Sequence, residues 1–105
     1  MPNNEPPDAP APRTPERPTY TVELRPHARK ALHKLDKPVA RRLTAALLAL
    51  STDPRPAGVK TLTGTSEPLL RLRVGDYRIV YLIEDDQLVV LVLALGHRRE
   101  IYRDV

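Results

Sequence analysis

The dipeptide Gly75-Asp76 separates two apolar-alternating runs, and that arrangement commits the middle of the chain to a β-hairpin. Before it, residues 69–74 read Leu-Leu-Arg-Leu-Arg-Val; after it, residues 77–84 read Tyr-Arg-Ile-Val-Tyr-Leu-Ile-Glu. A two-residue loop fixes the register, so Val74 faces Tyr77, Leu72 faces Ile79 and Arg73 faces Arg78. Leu70, Leu72, Val74, Tyr77, Ile79, Tyr81 and Ile83 then share one face, and Arg71, Arg73 and Arg78 share the other. Like charges directly opposite each other cost about 0.2–1 kcal/mol. A polyanion bound to that face would turn the penalty into a gain. Alternatively, the arginines form a solvated face whose long stems cover apolar neighbours. On charge alone both readings stand.

The surrounding sequence supplies what the hairpin packs against. Residues 19–25 alternate, with Tyr20, Val22 and Leu24 on one side, and read as a half-buried strand. Pro26 opens a helix from an allowed first-turn position, with Ala28, Ala31, Leu32 and Leu35 on one stripe. Asp36 stands where a cap belongs for a second helix, with Pro38 in its first turn and Val39, Leu43, Ala46, Leu47 and Leu50 as its stripe. Asp53-Pro54 ends that helix, and residues 54–68 are expected to be a loop. Residues 88–95 are apolar at nearly every position, as in a strand covered on both faces. Gly96 is expected to end that strand. The order is β-α-α-β-β-β, class α+β: a small antiparallel sheet with a helical hairpin packed on one face.

Residues 1–18 are expected to stand apart from this domain, which spans residues 19–105. They hold seven of the twelve prolines and no Leu, Ile, Val or aromatic residue. Such a segment buries too little apolar surface to offset the entropy of ordering it, and reads as a disordered tail. It lacks the apolar stretch of a signal peptide, no run is long enough to cross a membrane, and the chain is expected in the cytoplasm. With no Cys, disulfides are excluded, and the three scattered His make no metal site. The whole chain carries 17 − 13 = +4. The first 18 residues hold two Arg and three acidic residues, so the remainder carries 15 − 10 = +5, favouring an acidic partner.

The second informative cluster is Gly96-His97-Arg98-Arg99-Glu100-Ile101-Tyr102-Arg103. Cleavage of a phosphodiester by the RNA's own 2′-OH needs a base for that hydroxyl. It also needs cations for the pentavalent phosphorane and an acid for the departing 5′-oxygen. Tyr, Arg and His can fill these roles without metal. A basic C-terminal segment can equally be a solvated end or a partner contact. Its expected position beside the arginine face is what favours chemistry.

The string from Leu70 to Tyr81, the apolar strand after it, and Gly96-His-Arg-Arg-Glu-Ile-Tyr102 together resemble the RelE branch of the RelE/ParE toxin superfamily across residues 20–103. That resemblance implies a RelE-like fold and a toxin of a type II toxin–antitoxin pair. Such a toxin enters the ribosomal A site and cuts messenger RNA through the 2′-OH, with no metal or cofactor. It implies that Arg78 holds the scissile phosphate, Arg71 steadies it, Arg98 acts at the leaving oxygen and Tyr102 is the general base. A second basic residue of the pattern, two positions before Arg71, is here Leu69, and the spacing from Gly96 to Tyr102 is shorter than in that pattern. His97 is an alternative acid, because imidazole titrates near neutrality whereas a guanidinium gives up its proton reluctantly. Arg73, Lys60 and Arg99 are candidate RNA-backbone contacts, each also readable as a plain surface cation.

Weaker candidates complete the reading. His27 and His33 fall off the helix stripe and are expected to be exposed. Leu48 points away from the stripe, and the superfamily's habit of binding antitoxin through amphipathic helices makes it a candidate contact. Glu84, Asp85 and Asp86 read as turn residues. The implied partners are a cognate antitoxin, the ribosome and messenger RNA, with no membrane. Two other functions share the architecture: a ParE-type inhibitor of DNA gyrase, and a catalytically degenerate corepressor bound to its antitoxin.

Overall fold

The computed structural model describes residues 19–104, with the side chains of residues 102–104 outside that description. The proline-rich tail expected over residues 1–18 lies outside the described residues. Strand β1 (Thr21–Leu24) leads into helix α1 (Pro26–His33) and helix α2 (Lys37–Leu50). Both helices begin with proline in the first turn, where its missing N–H costs nothing. Asp36 occupies the N-cap position of α2 without a side-chain cap bond; its carbonyl accepts the first helical bond, from Ala40 N–H, at 2.8 Å. Strands β2 (Lys60–Thr61), β3 (Leu70–Val74), β4 (Tyr77–Glu84) and β5 (Val89–His97) follow, and helix α3 (Arg98–Asp104) ends the described chain.

One five-stranded sheet forms in the order β1-β5-β4-β3-β2. β2 to β5 are antiparallel neighbours, while β1 adds to β5 in parallel, Thr21 beside Val89 and Leu24 beside Val92. A parallel pair needs a long connection, here everything from α1 to β4. The α+β class and helical hairpin match expectation. The sheet is mixed rather than wholly antiparallel as expected, because β1 joins β5 in parallel, and three features go beyond the expectation. Lys60 and Thr61 turn part of the expected loop into an edge strand, β5 continues through Gly96 to His97, and the basic segment after it is helical.

The hairpin register agrees pair for pair with the alternation: Val74 with Tyr77, Arg73 with Arg78, Leu72 with Ile79. The face carrying Ile79 and Tyr81 packs with Val90, Val92 and Leu95 under Ala28, Leu43, Leu47 and Leu50 of the helices. Burying each large aliphatic side chain there contributes about 1.5–3 kcal/mol. The opposite face has a smaller core. Val80 and Ala94 meet Ile101 of α3, with Leu62 and Leu69 at the margin.

A bulge in β5 decides which residues reach which face. Val80 pairs with Ala94 but Tyr81 with Val92, which leaves Leu93 as the extra residue. Val90 and Val92 before it, and Leu95 after it, therefore all face the helices, although their numbers differ in parity. Beyond the bulge, Ala94 and Gly96 lie opposite Val80 and Arg78 on the second face, while His97 lies opposite Tyr77 on the helix side.

Candidate functional site: a basic cleft on the second face of the sheet

Arg71, Arg73 and Arg78 point to the sheet face away from the helical hairpin, and β2 extends that face because Lys60 pairs with Arg71. Together with Ala57, Gly58 and Leu72 these four cations line a cleft of about 510 Å³. The cations differ in setting. Lys60 and Arg73 are exposed, Arg71 is half-buried, and Arg78 retains 7% of its surface. Arg78 Nη1 donates to the carbonyls of Gly75 and Tyr77, each at 2.9 Å, which fixes the guanidinium before any ligand arrives. Gly75 suits this turn: its φ is +61°, and a Cβ there would lie 2.7 Å from Nη2 of Arg42 on α2.

Helix α3 runs over the same face. It starts beside the β3–β4 turn, where Arg98 N–H donates to Asp76 O at 2.8 Å, and Ile101 seats it on Val80 and Ala94. Gly96 allows the close approach, since an added Cβ would stand 3.3 Å from Glu100 Oε1. Arg98 and Arg99 are exposed in its first turn, and Tyr102 falls in α3 beyond the residues whose side chains are described. His97 is separated from the cleft cations. Its ring meets Tyr77 edge-on with centroids 5.4 Å apart, on the helix side of the sheet. Its Nδ1 accepts Arg99 N–H at 3.2 Å, so an imidazole holds the cap position of α3 and, when neutral, carries its proton on Nε2.

The sequence-predicted residues thus divide. Lys60, Arg71, Arg73 and Arg78 converge on one cleft; Arg98, Arg99 and Tyr102 belong to the helix laid over that face; His97 turns to the other side. Leu69, where the toxin pattern has a basic residue, is half-buried against the second core. His27 and His33 are exposed, as is Leu48 with 66% of its surface.

Sequence reasoning missed one cluster, centred on Asp85 just past the end of β4. Both Asp85 oxygens are engaged. Oδ1 accepts the Tyr20 hydroxyl at 2.6 Å, and Arg55 grips Oδ2 at 2.9 Å and Oδ1 at 3.4 Å. Arg55 and the Tyr20 hydroxyl hold the Asp85 carboxyl below its usual range. Nearby, the buried Tyr81 hydroxyl donates to Pro54 O at 2.7 Å, and burial pushes its pKa up to about 12. No local signal marks this cluster, since Tyr20 and Asp85 are 65 residues apart.

An α+β fold of this topology is that of RelE toxins. The structure is similar to RelE in the RelE–RelB complex of Pyrococcus horikoshii, with a TM-score of 0.67 and 34% identity over 76% of this chain and 96% of that one. It is also similar to a chain of the toxin–antitoxin complex RelBE2 of Mycobacterium tuberculosis, with a TM-score of 0.70 and 30% identity over 77% and 93%. By sequence, the toxin RelG of M. tuberculosis is 36% identical over 89 residues, 80% of this chain and 97% of that protein. A family model described as the ParE toxin of the type II toxin–antitoxin system parDE matches residues 22–102. The chain belongs to this family, within the RelE/ParE superfamily of toxins.

Proposed function

We propose that this toxin is a ribosome-dependent endoribonuclease that cuts messenger RNA in the cytoplasm and is held in check by a cognate antitoxin. The observation that carries the reading is the cleft in which Arg78, buried and anchored, lies among Lys60, Arg71 and Arg73. In this scheme the RNA 2′-oxygen forms a bond to phosphorus as the bond to the 5′-oxygen breaks. Tyr102 takes the 2′-OH proton and Arg98 supplies one to the leaving oxygen. Arg78 and Arg71 meet the non-bridging oxygens, where charge grows in the transition state. No step needs a metal or cofactor. Antitoxin binding is supported by the RelE relatives solved as complexes with RelB, and exposed Leu48 borders a shallow apolar groove on α2 suited to such a contact.

The test is single-turnover cleavage of messenger RNA on programmed ribosomes by wild-type protein. Cuts within the A-site codon support the reading. A second reading, inhibition of DNA gyrase, is favoured by the match to the ParE toxin model. Intact messages together with a block of gyrase supercoiling would select it.

A further inference from the structure

Three distant segments meet at the Asp85 carboxylate: Tyr20 just before β1, Arg55 in the connection from α2 to β2, and Asp85 itself in the turn between β4 and β5. What this junction fixes is the segment 54–59. Pro54 O is tied to Tyr81, Arg55 to Asp85, Val59 N–H to Pro56 O at 3.2 Å, and Val59 packs on the main core. Ala57 and Gly58 of that segment form a wall of the basic cleft, and Lys60 follows directly as the cation paired with Arg71. Arg55 and Asp85 do not themselves line the cleft. Their ion pair is about half exposed, a setting in which such pairs add little to global stability. Its effect is therefore expected on the placement of the loop.

We propose that Tyr20, Asp85 and Arg55 form a latch that holds segment 54–59 as a wall of the RNA cleft, making Arg55 and Asp85 positioning residues for RNA. The proposal rests on the endoribonuclease reading for the identity of the ligand, but the mechanical part stands by itself. Asp85 provides the sharpest test because two ideas give opposite signs. If cleft and RNA interact through net charge alone, removing a carboxylate strengthens RNA binding. If Asp85 acts as a latch, removing it weakens binding by releasing Arg55 and the wall.

The experiment measures fluorescence anisotropy of a labelled mixed-sequence 12-nucleotide single-stranded RNA with wild type, Arg55→Ala, Asp85→Ala and the double variant. Melting curves check that each is folded. Each single variant should weaken binding by about five-fold, and the double variant no further than either single, the signature of two residues acting through each other. A conservative Arg55→Lys should recover part of the loss. Tighter binding by Asp85→Ala, or additive losses in the double variant, overturns the latch. Amide exchange at Val59 provides a readout independent of RNA. It should speed up in Asp85→Ala while core amides of β4 keep their protection, and unchanged exchange at Val59 also overturns the proposal. Failure of the wild type to bind this RNA would overturn free RNA as the ligand of the cleft, while cleavage on programmed ribosomes decides the endoribonuclease reading and the exchange result decides the latch.

Discussion

Arg73 lies directly opposite Arg78 across the β3–β4 ladder, with Arg71 one pair further along the same face. Two guanidinium groups in register repel, and the fold tolerates this because Arg73 is exposed while Arg78 is anchored on carbonyl oxygens. Replacing Arg73 should therefore separate stability from function. Arg73→Gln is expected to raise unfolding stability by about 0.2–1 kcal/mol in urea titrations at low salt. The same variant should bind single-stranded RNA less tightly, with the slope of log affinity against log salt reduced by about 0.7. A variant both less stable and equally salt-dependent would remove Arg73 from the binding face.

Arg78 is the residue on which the chemistry depends most. Its guanidinium is nearly buried and its orientation is set by Gly75 O and Tyr77 O, so it meets a phosphate without rearranging. Arg78→Ala should lower single-turnover cleavage on programmed ribosomes by at least ~10²-fold, the scale of losing one transition-state donor. Ribosome association should change far less, because Lys60, Arg71 and Arg73 remain. Arg78→Lys should recover little, since an ammonium lacks the planar fork that spans carbonyl and phosphate oxygens together. Equal cleavage by wild type and Arg78→Ala would exclude the assignment.

Tyr81 makes stability pH-dependent in the alkaline range. Its pKa, raised by burial from 10.0 to about 12, means that the folded state favours the neutral phenol. The resulting stabilisation is fully present below pH 10 and is lost as pH rises from about 10 to about 12, up to about 2–3 kcal/mol if the unfolded phenol titrates normally. Tyr81→Phe should flatten stability over that window. At neutral pH it should cost about 1 kcal/mol, because Pro54 O loses its donor. An unchanged alkaline slope in Tyr81→Phe, followed by urea unfolding at a series of pH values, would assign the dependence elsewhere.

These tests use residues of unequal legibility. The hairpin register and both its faces could be read in advance because Gly75-Asp76 leaves no slack in the loop and the alternation on either side is clean. The helix stripes were legible for the same reason, Leu43, Leu47 and Leu50 falling where a 3.6-residue period puts them. Strand β2 was hidden because two residues carry no period. The bulge at Leu93 was hidden because a run that is apolar at nearly every position looks the same with or without an extra residue. Helix α3 was hidden because Ile101 and Tyr102 are its only large apolar residues and its cap is an imidazole. The Tyr20–Asp85–Arg55 cluster depends on where strands end in space, which a local pattern does not encode.

The bulge bears on the choice of general acid. Without the extra residue in β5, His97 would fall on the arginine face with Leu91; with it, His97 stands opposite Tyr77 and meets its ring edge-on, away from Arg78. Its Nδ1 is committed to Arg99 N–H, so its structural task is to start α3. Arg98, by contrast, begins the helix that lies over the arginine face. Removing His97 outright would blur the comparison, because an uncapped α3 also shifts Arg98 and Tyr102. His97→Asn avoids this, since an asparagine oxygen can accept the same helical N–H. His97→Asn is expected to cleave within a few-fold of wild type, while Arg98→Ala and Tyr102→Phe each lose about 10²-fold or more, the range for a positioned acid or base. The pH profile adds a second discriminator: a guanidinium donor leaves the single-turnover profiles of wild type and His97→Asn the same shape, whereas a step present in wild type and lost in His97→Asn makes the imidazole the acid. If His97→Asn loses as much as Arg98→Ala while α3 remains formed, the acid is His97 and the helix must move to bring it into the cleft.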